Sequence, residues 1–163
     1  MRRASPNLSM RNGAKSGHRD LQPDAMGVAM RLAAARLREA GIVLKPLLRS
    51  AGLSAIQMTN KDVRIGVASQ IRFLELAAKA LNDPVLGFRL ARDGEHRLAG
   101  LLHYVTASSQ TLGDALERVQ RYCSIANAGL VLQCVEACNL TIALPYASVA
   151  RHSDRQQMEY FVT

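Results

Sequence analysis

The chain has 163 residues, 48% of them apolar but only 4% aromatic, and no Trp. That length suits one domain with a core of Leu, Ala, Val and Ile that needs neither disulfides nor a metal. No apolar run approaches the 18 or so residues of a membrane span and no secretory apolar segment opens the chain, so a cytoplasmic protein without membrane contact is expected.

The formal charge is +8, yet residues 1–50 hold ten Lys/Arg against three acids, while the rest of the chain is nearly balanced. Basicity held in a tail and one early helix is a poor basis for reading a nucleic-acid groove. Cys123, Cys134 and Cys138 lack metal-ligand spacing and read as free thiols.

Residues 1–24 show no hydrophobic period, are rich in Arg, Ser, Asn and Gly, and carry no acid before Asp20. They read as a disordered basic tail, followed by one domain over residues 25–163. A first helix is expected over 25–40, with Val28, Leu32, Ala35 and Leu37 inward and Gly41 ending it in a left-handed conformation. A short helix over 45–51 follows, with Pro46 in its first turn and Gly52 at its end. Arg64, Ile65 and Gly66 suggest a brief strand, then a long helix over 67–81 whose wide apolar surface implies burial on more than one side. Asn82, Asp83 and Pro84 stop that helix and start another, with Asp83 as N-cap and Pro84 as first residue.

Residues 99–127 carry the clearest pattern. Thr111 stands three residues before Asp114, the spacing of a helix cap, and Leu112, Leu116, Val119, Tyr122 and Cys123 then recur every three or four residues. Leu101, Leu102, Tyr104 and Val105 suggest a shorter helix before the break at Ser108, Ser109 and Gln110. This helical hairpin is expected to be the centre on which other segments pack.

Alternating residues 130–136 and 140–144 flank Ala137, Cys138 and Asn139 and read as a β-hairpin. Leu130, Leu132 and Cys134 share one face, as do Leu140, Ile142 and Leu144 on the partner strand. A last helix starts at Ser153 or Asp154 and is still running at Thr163, so the domain reads as C-terminally truncated. The expected class is α+β, with several helices packed on a small antiparallel sheet made of the 130–144 hairpin and a short strand near 64–66.

The order of these elements resembles the N-terminal arabinose-binding-type effector domain of AraC-type bacterial transcription regulators. The likeness is carried by LLRSAGL at 47–53, by Val63, Arg64 and Ile65 before a long helix, and by NDPVLGFRL at 82–90. GLLHY at 100–104, SSQTL at 108–112, and Ala115, Leu116, Arg121 and Tyr122 extend it. Two residues depart from the pattern: His103 replaces a small residue, and Gln110 stands where Pro is common. The resemblance implies a ligand-sensing, dimerising domain, with DNA reached only through a C-terminal helix-turn-helix domain absent from this sequence.

No catalytic constellation, phosphate loop or metal set is legible, so neither enzymatic activity nor a cofactor is expected. A cleft between helices and sheet would take a small-molecule effector, with Arg64, His103, Tyr104, Gln133 and Tyr146 as the polar groups nearest to it. His103 leads this set, because a ring nitrogen facing an apolar interior needs a partner. Arg89, Arg118 and Arg121 are expected in surface ion pairs or at an interface. The alternative reading is a protein–protein module without a small ligand, meeting its partner through the long helix over 67–81 or the last helix.

Overall fold

A computed structural model of the chain describes residues 22–94, 100–136, 140–146 and 154–163. In chain order the elements are β1 (Asp24–Ala25), α1 (Val28–Glu39), α2 (Leu44–Ala51), α3 (Ala55–Thr59), β2 (Ile65–Gly66) and α4 (Val67–Ala80). There follow α5 (Leu86–Asp93), α6 (Leu101–Ala107), α7 (Leu112–Ala126), β3 (Gln133–Glu136), β4 (Leu140–Ala143) and α8 (Arg155–Val162). The class is α+β. Among the described residues, no helix is long and apolar enough to cross a membrane.

Helix α4 is the hub. Val67, Ile71, Phe73, Leu74, Ala77 and Ala78 are all buried, an apolar surface wider than one stripe, and α1, α2, α5 and α8 pack around it. This corrects the expectation that the hairpin of α6 and α7 is the centre: α6 buries no residue fully and α7 buries only Cys123. Leu112, at the start of α7, is 71% exposed. The period of α7 is genuine, but its apolar face is only half covered.

Helix α1 turns a different face inward than expected. Ala29, Met30, Ala33, Ala34 and Leu37 are buried, whereas Val28, Leu32 and Ala35 are half-buried. The alanines let α1 and α4 approach closely, so small side chains rather than the largest ones mark the contact.

Three helix ends close in the same way. At Gly41 (φ 72°) and Gly52 (φ 71°) the chain turns left-handed, so that the Ile42 N–H reaches the Leu37 carbonyl at 2.8 Å and Leu53 reaches Leu48 at 2.9 Å. Asn82 (φ 50°) does this after α4, where Asp83 N–H donates to the Ala78 carbonyl at 2.9 Å. Asp83 is not the N-cap of the next helix. Its Oδ1 accepts from the Val85 N–H at 3.2 Å, holding a turn that delivers Val85 as N-cap. Between α2 and β2 lies α3, which the periodicity reading passes over; Ser54 and Gln57 close it with a reciprocal capping box.

Among the described residues there are two small sheets, not one. β1 pairs antiparallel with β2, Asp24 opposite Gly66 and Ala25 opposite Ile65. β3 pairs antiparallel with β4, Cys134 opposite Ile142, and an isolated bridge joins Leu130 to Tyr146. That register puts Leu132, Cys134 and Ile142 on a common face, as the alternation predicts. The expected turn at 137–139 lies outside the described residues. So do residues 1–21 of the expected tail, whereas Pro23 and Asp24 belong to the fold, Val67 N–H donating to the Pro23 carbonyl at 2.9 Å.

Candidate functional site: a cleft beside the last helix

The cleft that holds a sequence-predicted site residue lies where α1, α5, α6, α7 and α8 meet, and encloses about 300 Å³. Leu32, Leu90, Leu102, Val119 and Phe161 supply its apolar wall, and His103, Thr106, Tyr160 and Thr163 its polar groups. His103 reaches it because the α6 helix, starting at Leu101, turns residues 102, 103 and 106 to one side. The ring of His103 is half-buried, stacks edge-on to Tyr104 with centroids 5.3 Å apart, and has no hydrogen-bond partner among the described residues. Thr106 is already occupied, its hydroxyl donating to the carbonyls of Leu102 at 2.8 Å and His103 at 2.9 Å. Thr163 likewise donates to the Glu159 carbonyl at 2.7 Å. Burial raises the pKa of Tyr160 above its ordinary value, so at neutral pH it stays a phenol able to donate. An apolar wall with an unpaired imidazole and a half-buried phenol fits a small ligand carrying one or two polar groups.

The other expected site residues are not at this cleft. Tyr104 is 60% exposed and points away. Gln133 is exposed on the hairpin, opposite Ala143. Arg64 is a clamp: it donates to Asp24 Oδ1 at 2.7 Å, to the Ile125 carbonyl at 2.9 Å and to the Asp24 carbonyl at 3.2 Å. It therefore ties β1 to the end of α7.

Tyr146 belongs to a buried amide relay. Its hydroxyl accepts from Gln157 Nε2 at 2.8 Å, and Gln157 Oε1 accepts from Gln70 Nε2 at 2.9 Å. The relay joins the segment after the hairpin to α8 and α4. Gln70 and Gln157 were not singled out by sequence reasoning, since two polar residues inside apolar periods read as solvent-facing.

Sequence reasoning also missed the residues that seat α8 beside the cleft. Gln156 is buried; its Oε1 accepts from the Gly87 N–H at 2.8 Å, its Nε2 donates to the Pro84 carbonyl at 2.9 Å, and its own N–H reaches Glu75 Oε1 at 3.0 Å. A Cβ on Gly87 would lie 1.9 Å from the Gln156 carbonyl oxygen. Only glycine permits that approach.

Nothing joins Cys123 to His103. The thiol is buried and lies 3.6 Å from the Leu130 carbonyl. Arg89 and Arg121 pair with Asp83 and Glu117, both at 3.1 Å, as expected of surface arginines. Arg118 instead donates to the Val105 carbonyl at 3.0 Å and to Ser108 Oγ at 2.9 Å, bracing the turn between α6 and α7. Among the described residues, no group of three or more His, Cys, Asp or Glu is placed to hold a metal ion. Cys138, His96 and His152 lie outside the described residues.

No curated protein matches the chain. The sequence profile described as the arabinose-binding domain of AraC transcription regulator, N-term, matches residues 41–162, which takes in α2 through α8 and hence most of the cleft. The chain belongs to this family of ligand-sensing regulatory domains, the N-terminal arabinose-binding domains of AraC regulators.

Proposed function

We propose that this chain is the effector-sensing part of an AraC-type transcription regulator acting in the bacterial cytoplasm, and that its effector sits in the cleft of His103 and Tyr160. The family match over residues 41–162 carries this reading; the unpaired His103 ring supports the choice of site. α8 lines the cleft together with α1, α5, α6 and α7, so a ligand that prefers one setting of α8 shifts the population toward it. DNA is reached through a helix-turn-helix domain of the regulator. Exposed Leu101, Tyr104 and Leu112 on α6 and α7 support a homodimer through that face.

The test is thermal stabilisation across a panel of sugars, amino acids and nucleotides, on the native chain and on His103→Ala. At least one class should raise the midpoint of the native chain by several degrees at a concentration about a hundredfold above its Kd, with most of the shift lost in His103→Ala. A folded sample that no class stabilises, or a shift that His103→Ala leaves intact, overturns the proposal.

A further inference from the structure

We infer that the groove between α2 and α3 is a second binding site, for an unbranched aliphatic carboxylate. The groove encloses about 600 Å³ and has an apolar floor of Leu48, Leu53 and Met58. Arg38, Lys45 and Arg49 stand around it, all exposed, and among the described residues no Asp or Glu lines it. None of these three cations has an ion-pair or hydrogen-bond partner among the described residues, whereas Arg36, Arg64 and Arg89 each hold a carboxylate within 3.1 Å. Lys45 and Arg49 are one helical turn apart, so their charges stand along the same side of α2, about 6 Å apart on its axis. Unneutralised positive charge beside a buried apolar floor is complementary to an anion that carries an apolar part.

The dimensions favour a small amphiphile over a macromolecule. The volume falls within the range of small-ligand pockets. The groove is no longer than α2, about 12 Å, which suits one extended medium-length alkyl chain better than a docked helix of three or four turns. Among the described residues no aromatic lines it, so they offer nucleic-acid bases nothing to stack on. This site is separate from the His103 cleft, and the inference does not rest on the function proposed for that cleft.

Titration calorimetry of the full chain with decanoate, below its micelle concentration and at low salt, tests the inference. Saturable one-site binding is expected, strengthening by up to about fourfold for each methylene from hexanoate to decanoate and weakening as salt is added. The double variant Lys45→Glu/Arg49→Glu changes only exposed side chains and should weaken binding at least tenfold. Arg72→Glu/Lys79→Glu, an equal charge change at two exposed residues of α4, and His103→Ala should leave it unchanged. Any of four results overturns the inference: no saturable binding, equal binding of decanol, loss in His103→Ala but not in the double variant, or uptake of an acidic amphipathic peptide with none of decanoate.

Discussion

Arg64 and His103 are both polar residues beside apolar runs, yet only one of them has a free functional group. The guanidinium of Arg64 is spent on Asp24 and the Ile125 carbonyl, partners 40 and 61 residues distant. Nothing local in the sequence records pairings of that range, which is why its structural use was not legible. The ion pair is exposed and the bonds it makes to backbone are few, so Arg64→Ala should lower unfolding free energy by only about 1 kcal/mol in urea titration and leave any ligand-induced stabilisation intact. A loss of ligand response in a variant of near-native stability would restore Arg64 to the binding site. His103 was legible for the opposite reason: an imidazole among Leu101, Leu102 and Val105 is conspicuous without knowledge of its neighbours. Gln70, Gln156 and Gln157 escaped notice because amides are common on wet faces, and their burial follows from contacts between elements far apart in the chain.

At the scale of elements, the signals that survived are local ones. Thr111 accepts from the Asp114 N–H at 3.1 Å and starts α7 where its spacing predicts. Gly41 and Gly52 end α1 and α2, and the hairpin pairs in the register set by its alternation. Which helix occupies the centre was not local information. α4 and α7 have similar periods, but only α4 is enclosed by other helices. The seat of α8 depends on Gly87, inside the NDPVLGFRL stretch. Gly87→Ala must push α8 away by an amount no side-chain rotation can absorb, since the obstacle is the Gln156 backbone. A destabilisation of about 2–3 kcal/mol is expected, with faster amide exchange in α8 than in α4. Native stability and unchanged exchange in Gly87→Ala would show that α8 is seated some other way.

For the molecule as a whole, composition and element order led to the α+β class and to the family, because both depend on patterns repeated along the chain rather than on any single contact. The sheet was the part that sequence could not assemble. β2 pairs with β1, a two-residue strand at the edge of the expected tail, and not with the hairpin. Two-residue strands carry no alternation to read. The consequence for function is that the cleft proposed here for the effector does not lie over a sheet but among helices, with α8 closing one side. Under that proposal, ligand is reported through the position of α8, which the Gln156–Glu75 bond and the Gln70, Gln157 and Tyr146 relay tie to the α4 hub. The direct test is a heteronuclear NMR titration of the chain with whichever compound stabilises it most. Saturable shifts centred on the His103 ring, the Val119 methyls and the Tyr160 and Phe161 rings, spreading to the Gln157 side-chain amide, are the predicted result. Shifts that saturate elsewhere and leave His103 and α8 untouched would contradict it.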